Sequence, residues 1–521
     1  MHVLFLCEKG GIPMKGKFTI TKIALIIHIF ILFLCNYLWA EENIRSFEIK
    51  NICLIYHGSD QRRNWQPEDF KPYLIYTDIS IEKSFPLFDT FLLIEYRSSD
   101  GKYFWGGQKK EEIATIEQWK WLINRWASCL DAINECVGEI KKEGKIQNKI
   151  NIIITIPEPD INCINFGTLS GSEVPLNFQK TEDVLKALQW YMDEVLYQIK
   201  VGGYEHLNFI GFYYLAESIP AGRENVIKAM AEIIHRYKLK FFWIPYFTGN
   251  NVWLWKDLNF DYMFLQPNYF FEGKGGNHRL SLAGYRIQEF QCGVEMELDD
   301  RIFKSETHQY RFQQYLQAGT HFQWVKKPIA WYQANDTIYK LAHSQDDKLK
   351  SIYRDIAYFI HGEYQTPSYL PPIEEYKVPD RKGNNYAHID NGTKVIKPND
   401  GFCLSLNPEW MIDGDITNYS GTAGFGCCGI PGEIVLDFSK NILVHRVQLL
   451  LFNLDERYYQ YHIDLSNDGQ NWNTVVDKTQ GEYRDWQTDI IPSQTAHYLR
   501  IVPTYNSAHQ SLFQVVEIEV Y

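Results

Sequence analysis

The chain has 521 residues, 45% of them hydrophobic and 22% charged, so it is a folded protein too long for one ordinary domain. Its 64 acidic and 52 basic side chains give a net charge of −12, with no basic stripe or lysine-rich run, which argues against nucleic acid or an anionic membrane surface as a partner. Aromatic residues make up 15%, a content that fits either large cores or surfaces on which sugar rings stack.

The N-terminus carries a targeting pattern. Met14 opens the basic stretch KGKFTITK, the apolar run IALIIHIFILFL (23–34) follows, and LWA precedes the acidic EEN. This is the layout of a secretory signal peptide ending at Ala40, with residues 1–13 as an upstream extension. Cys35 offers a lipoprotein alternative, but Leu34 stands where a small residue is expected. No other apolar run reaches the length of a membrane span. The expectation is therefore export, to the periplasm, the cell surface or the medium. Removing residues 1–40 leaves the chain more acidic, since the segment holds four lysines and one glutamate. Cysteines show neither a CxxC pair nor zinc spacing, so most are expected to be small buried hydrophobes; the pairing of Cys427 and Cys428 stays open.

From residue 50, short apolar runs alternate with helical patterns. Eight strands are expected: 52–57, 90–96, 150–159, 207–217, 240–247, 262–270, 293–299 and 328–336. Helical spacing of apolar residues marks 116–144, 181–203 (with Thr181 as N-cap), 224–238, 308–319 and 344–362. Buried strands alternating with amphipathic helices mean a parallel sheet. Eight such units in this length fit a (β/α)8 barrel; an open doubly wound sheet ranks second, because no GxGxxG or Walker pattern follows the first strand. Residues 365–385 have many prolines and charges and no period, so they read as a connection. Beyond them come short strands, turn signals and no helix, which is the pattern of an antiparallel β-sandwich. The expected division is a signal segment 1–40, a barrel 41–375, a linker 376–392 and a sandwich 393–521.

The C-terminal part resembles the discoidin, or factor 5/8 C-terminal, family, which overlaps with carbohydrate-binding module family 32. The carriers are WMIDGDITNYSG (410–421), LSNDGQNWNTV (465–475), HYLRIV and the final VVEIEVY. The resemblance implies a jelly-roll-like sandwich that binds sugars through loops at one end. It also implies a structural calcium, for which Asp413, Asp415 and Glu517 are the candidate oxygen ligands. Asn418 stands where the family commonly has Thr. Tyr419, Phe425, Tyr458 and Tyr459 are aromatic candidates for sugar contact.

The N-terminal part resembles a family catalogued as domain of unknown function 4855, through LIYHG, GFYYLAES, LQPNYFF and GVEMELD. That name supplies no activity. Its architecture is similar to clan A glycoside hydrolases, whose acid/base glutamate ends the fourth strand and whose nucleophile ends the seventh. In this sequence Glu217 ends the fourth, preceded by Ala216 where many clan A enzymes have Asn, and Glu295 and Glu297 lie on the seventh.

Glycosidic cleavage needs two carboxyl groups flanking one bond. In GVEMELDD (293–300) Glu295, Glu297 and Asp299 share one strand face, with Glu295 and Glu297 roughly 6.7 Å apart along the strand. Glu297, nearer the mouth, is assigned as nucleophile, Glu217 as acid/base and Glu295 to a deeper place. A solvated edge strand is the alternative reading of these acids. His57, Glu95, Tyr213, Tyr246, Gln266, Asn268, Tyr269, Trp331 and Gln333 are expected to ring the same mouth and bind substrate, with Trp105 as a subsite wall. HExxH and GxSxG are absent, and no organic cofactor is expected. The reading is a secreted glycoside hydrolase-like protein acting on an oligo- or polysaccharide. The alternatives are a non-catalytic glycan-binding protein with a degenerate barrel, or a surface adhesin. Oligomeric state is left open.

Overall fold

The computed structural model describes residues 49–58, 61–220, 222–272, 276–398, 407–417, 424–454, 457–508 and 511–521. The expected signal segment, Tyr419 and Asn418 lie outside them. Among the described residues no helix is long and apolar enough to cross a membrane.

Eight parallel strands close into a barrel: β1 (Asn51–Tyr56), β2 (Thr90–Ile94), β3 (Ile150–Ile156), β4 (Leu207–Tyr214), β5 (Lys240–Trp243), β6 (Tyr262–Leu265), β7 (Gly293–Glu297) and β8 (Ile329–Tyr332). All eight coincide with the strands expected from the sequence. β1, β2, β3 and β7 are buried along their whole length, because helices cover the outside and side chains fill the inside. Chain order runs around the barrel, and β1 pairs with both β2 and β8 to close it.

Six longer helices lie around it: α1 (Ile116–Lys142), α2 (Thr181–Gly202), α3 (Glu224–Arg236), α4 (Gly276–Glu289), α5 (Glu306–His321) and α6 (Asp347–Ile360). Thr115 starts α1 in a capping box with Gln118. α2 begins with Thr181 as its first helical residue rather than its cap, and ends on Gly203, whose φ of 59° is cheap only for glycine. The segment after β1 holds short helical turns and a small antiparallel hairpin (Ile75–Asp78 with Lys83–Pro86), and the segment after β5 a short helical turn. Helix α4 was not legible as a helix. Its buried positions include Arg279, Ser281 and Arg286, so its inward stripe is not apolar.

Those polar residues reach the second half of the chain. The Arg279 guanidinium lies 4.7 Å over the Phe247 ring and donates to the carbonyls of Pro267 (3.0 Å) and Leu454. Arg286 donates to Phe247 O at 2.6 Å and to Thr417 O at 3.2 Å, and His278 pairs with Asp485 at 3.0 Å. The proline-rich connection is tied down on both sides. Gln317 donates to Pro371 O, Tyr376 packs on Tyr285, Arg381 pairs with Glu519, and Gln448 donates to Asp380 O. Residues 48–521 accordingly form one compact unit.

The C-terminal part is an all-antiparallel sandwich of β9 (Lys394–Lys397), β10 (Gly426–Gly429), β11 (Ile434–Leu451), β12 (Tyr459–Ser466), β13 (Asn473–Tyr483), β14 (Trp486–Asn506) and β15 (Leu512–Val520). The long strands β11 and β14 pair with register shifts that bend them over one core, which includes Leu436, Leu449, Ile463, Leu499, Val515 and Ile518. The SNDG turn is built by its own side chains. Asp468 accepts from the amides of Gln470 and Asn471, and Gly469 takes a φ of 70°. Cys53, Cys129, Cys136, Cys163 and Cys292 are buried thiols, as small hydrophobes would be, while Cys427 is disulfide-bonded.

Candidate active site

A cavity of about 880 Å³ opens at the C-terminal ends of the barrel strands. It is lined from β1 by Leu54 and Tyr56, from β2 and its extension by Ile94 and Tyr96, after β3 by Glu158 and Asp160, and from β4 and beyond by Tyr213, Leu215 and Glu217. Tyr246, Gln266, Asn268, Glu295, Glu297 and Tyr332 complete the ring. The lining residues step by two along each strand, as inward-facing positions must.

Glu217 stands three residues past β4, where the chain begins to bend. Its carbonyl accepts from Tyr246 N at 3.0 Å, and Trp243 Nε1 donates to Ala216 O at 2.7 Å. The neighbouring loop passes so close that a Cβ on Gly249 would stand 2.5 Å from Glu217 O, which requires glycine there. Water reaches the Glu217 carboxyl, but the concave wall removes enough hydration to raise its pKa, against a hydrogen bond from Gln266. Gln266 is held by donating to Ile244 O at 2.9 Å.

Glu295 and Glu297 are 3% and 1% exposed, and both face the cavity. On β8 they stand opposite Ala330 and Tyr332. The Tyr315 hydroxyl of α5 donates to Glu297 Oε2, and the backbone N–H of Asn268 is directed at the same carboxylate. Asn268 does so from a left-handed backbone (φ 55°), a conformation asparagine tolerates. Glu297 Oε1 has no hydrogen-bond partner. Burial raises the pKa of both glutamates, and their mutual repulsion with Glu217 adds to it; Arg279 and Tyr315 oppose this at Glu297. The three carboxyls repel one another in this buried wall, and at Glu295 no donor opposes the rise, so its pKa stands well above the carboxylate range. The Tyr213 phenol lies within the field of both Glu217 and Glu295.

One wall is aromatic. Trp105 stacks on Tyr96 (centroids 5.0 Å, 12° between planes) and on Tyr103 (5.7 Å, 7°). Tyr56 meets Tyr96 and Tyr332 edge-on at 5.7 and 6.0 Å. Behind them Arg62 lies against Tyr56 and Tyr96 and pairs with buried Glu95 at 3.1 Å. On the next wall, Glu158 accepts from Gly106 N at 2.7 Å and from the Tyr214 hydroxyl at 3.4 Å, and Asp160 accepts from the amides of Gln108 and Asn162.

Of the residues expected at the mouth, Tyr213, Glu217, Tyr246, Gln266, Asn268, Glu295, Glu297 and Trp105 line the cavity together. Five do not. His57 is buried against Ser128 (3.0 Å), its pKa driven down to about 4 by burial and by Arg125. Glu95 anchors Arg62. Tyr269 is buried and donates to Gln314. Trp331 packs between Phe88 and Phe359 outside the barrel, donating to Asn51. Gln333 is fully buried and accepts from Tyr73 and from Ile338 N. In four of these places the cavity residue is the chain neighbour: Tyr56, Tyr96, Asn268 and Tyr332. Asp299 also stays out; it caps the turn that follows β7 and pairs with Arg301 at 2.7 Å.

The sandwich holds a second acidic corner. Glu517 is fully buried, its Oε2 accepts from Gly414 N at 3.1 Å, and its Oε1 has no partner. Burial, Glu519 and Asp413 raise its pKa well above the carboxylate range. Asp415 is committed elsewhere, accepting from both the amide and the hydroxyl of Thr417 at 2.8 Å. Asp413 lies within the field of both Asp415 and Glu517, but among the described residues no three His, Cys, Asp or Glu side chains gather closely enough to hold a metal ion. Tyr459 is buried in the core and Phe425 is buried against Phe452, whereas Tyr458 is part-exposed beside Tyr505 and Arg484.

Residues 51–358, more than half of the chain, match the family model described as "Domain of unknown function (DUF4855)". The chain belongs to that family. Residues 406–518 match the F5/8 type C domain. Among curated proteins, the chain is 32% identical over 136 residues to BTB/POZ domain-containing protein 9 of Homo sapiens and of Rattus norvegicus, a match covering 26% of this chain and 21% of theirs, so it spans about a fifth of their length. Among solved structures it is similar to CpGH89CBM32-6 produced by Clostridium perfringens (18% identity, TM-score 0.21, 26% of this chain and 98% of that one). It is also similar to chitosan-binding module 1 of a chitosanase/glucanase from Paenibacillus sp. IK-5 (22% identity, TM-score 0.21, 27% and 99%).

Proposed function

We propose that this chain is an exported glycoside hydrolase whose barrel cuts a glycan and whose sandwich binds one. The observation that carries the reading is the convergence of Glu217, after the fourth strand, with Glu295 and Glu297, on the seventh, in one cavity walled by stacked aromatic rings. A sugar ring needs a stacking face and many hydrogen bonds, and its cleavage needs two carboxyl groups in different protonation states. Glu217, water-accessible with a raised pKa, is the acid/base. Glu297 is the nucleophile: one oxygen is anchored by Tyr315 and the other has no hydrogen-bond partner, on a residue that lines the cavity. Glu295, deeper, keeps its proton while no substrate is bound, which limits the charge crowding around Glu297. The reaction is then retaining, with Glu297 forming a glycosyl ester that water, activated by Glu217, hydrolyses.

The test is kinetic and chemical. Glu217→Gln and Glu297→Gln each abolish glycan cleavage without lowering the melting temperature. Azide restores turnover to Glu297→Ala as a glycosyl azide, because a small anion enters the emptied nucleophile position. Full activity in either glutamine variant overturns the assignment. In the sandwich, Asp413 and Glu517 are the proposed side-chain ligands of a structural calcium, with main-chain oxygens completing the shell and Asp415 acting only through its turn. Calcium then raises the melting temperature of the wild type but not of Glu517→Gln.

A further inference from the structure

The charge balance of the cavity is incomplete. Among its lining residues five are acids (Glu158, Asp160, Glu217, Glu295 and Glu297) and one, Arg223, is basic. Arg223 is directed at the Glu158 side, donating to Pro159 O at 3.1 Å. Glu158 and Asp160 are further compensated by backbone amides. Arg62 is spent on Glu95 behind the aromatic wall. In the catalytic trio Glu217 meets Gln266, and Glu297 meets Tyr315, the Asn268 amide and the field of Arg279, but no described cation forms an ion pair with any of the three. Glu295 is 3% exposed and lines the cavity, and no described residue donates a hydrogen bond or an ion pair to it. Glu297 Oε1 is likewise buried and bare. Buried carboxylates elsewhere in the same barrel are paired, as Glu95 is with Arg62 and Asp69 with Arg63 at 2.6 Å. A folded protein leaves a buried acid unpaired where something else supplies the partner.

We propose, building on the hydrolase reading, that the missing partner is carried by the substrate: the cavity takes a glycan with free, protonated amino groups, and Glu295, releasing its proton to solvent, receives the ammonium of the sugar seated over the catalytic pair. An N-acetylated sugar brings no positive charge, and a uronic acid adds a negative one to a wall already lined by five acids. A protonated amine donates up to three hydrogen bonds, so it can serve Glu295 while Glu297 Oε1 stays free for the sugar carbon. It also lowers the cost of ionising Glu297, which the nucleophilic step requires. The aromatic wall is compatible with the same ligand, since Trp and Tyr faces attract cations as well as sugar C–H faces.

The experiment compares three matched oligosaccharide sets of equal length, with free amines, with N-acetylated amines and with uronic acids, against the full chain and against Glu295→Gln. Cleavage is read by mass spectrometry and binding by calorimetry. The proposal expects the free-amine set to be preferred over the acetylated one by about tenfold or more in kcat/KM, with the uronic acids last. Glu295→Gln collapses that preference, and Glu295→Asp, which keeps the charge, retains part of it. Cleavage of acetylated or anionic sugars as well as the amines overturns the substrate class and leaves the hydrolase reading standing. Amine binding that needs Glu295, with no cleavage of any set, overturns the hydrolase reading and keeps the ligand class. If no set is bound or cut, both fall.

Discussion

Two buried glutamates, one in each half of the molecule, invite comparison. Glu297 in the barrel and Glu517 in the sandwich both lie on strands, both have one oxygen anchored by a donor, and both leave Oε1 without a partner. Both are held far from their ordinary protonation range by burial and by a neighbouring acid. Their surroundings differ. Glu297 opens on a cavity of about 880 Å³, ringed by groups that can meet a sugar. Glu517 is enclosed by the Gly414 main chain and by Glu519, which Arg381 already neutralises. The same local chemistry therefore serves two ends: at the barrel mouth a bare carboxylate oxygen awaits substrate, and in the sandwich it is a charge in a closed corner that a cation can relieve.

The largest expected effect separates the two at once. Glu217→Gln lowers kcat by about 10²–10⁴-fold, the range for a positioned acid/base, and Glu297→Gln by at least as much. Glu517→Gln leaves turnover within about twofold, since the site is remote from the reacting bond. Steady-state kinetics on one cleaved oligosaccharide check all three; a catalytic defect in Glu517→Gln breaks the comparison.

Next is the link between the halves. Arg279 joins Pro267, next to the Asn268 amide that faces Glu297, to Leu454 of the sandwich, and it lowers the pKa of Glu297. Arg279→Ala leaves two carbonyls without their buried donor, a cost of about 1–3 kcal/mol for each. It also shifts the pH profile of kcat/KM upward, because Glu297 loses a cation. Melting curves and pH–rate profiles distinguish this from simple loosening, which lowers stability without moving the profile.

The pH dependence of stability follows from the sign of the shifts. A carboxyl whose folded pKa is raised keeps a proton that the unfolded chain releases above about 4.3. Stability contributed by such a group is complete below that pH and is lost as pH rises through the folded value. Glu517→Gln thus raises the melting temperature at pH 8, by roughly 2–4 °C for each kcal/mol recovered, and has no such effect at pH 4. Thermal scans at the two pH values, with EGTA present, test it. The smallest effect is at the aromatic wall. Trp105→Ala raises KM by about 3- to 10-fold, the worth of one stacking contact, with kcat little changed.

What the sequence disclosed, and what it did not, follows from side-chain alternation. The barrel was legible because each strand is a continuous apolar run between helical periods. On β7 the facing of side chains was legible too, since Glu295 and Glu297 alternate with Val294, Met296 and Leu298. On β1, β2 and β8 every position after Asn51 and Thr90 is apolar or aromatic, so nothing in those runs says which parity points inward. The expectation of His57, Glu95 and Trp331 at the mouth missed by one residue, and one residue is a whole face. Tyr315 and Arg279 were beyond reach, because they come to the site from helices, far from it in sequence. The acidic corner of the sandwich was legible as a motif; that Asp415 is spent on Thr417 was not.

The most direct test of the account is cleavage of a mixed oligosaccharide library by the chain, followed by mass spectrometry, beside Glu217→Gln and Glu297→Gln with melting temperatures no lower than its own. The account predicts products from the wild type and none above background from either variant. Equal products from all three, or binding without any product from the wild type, contradict it.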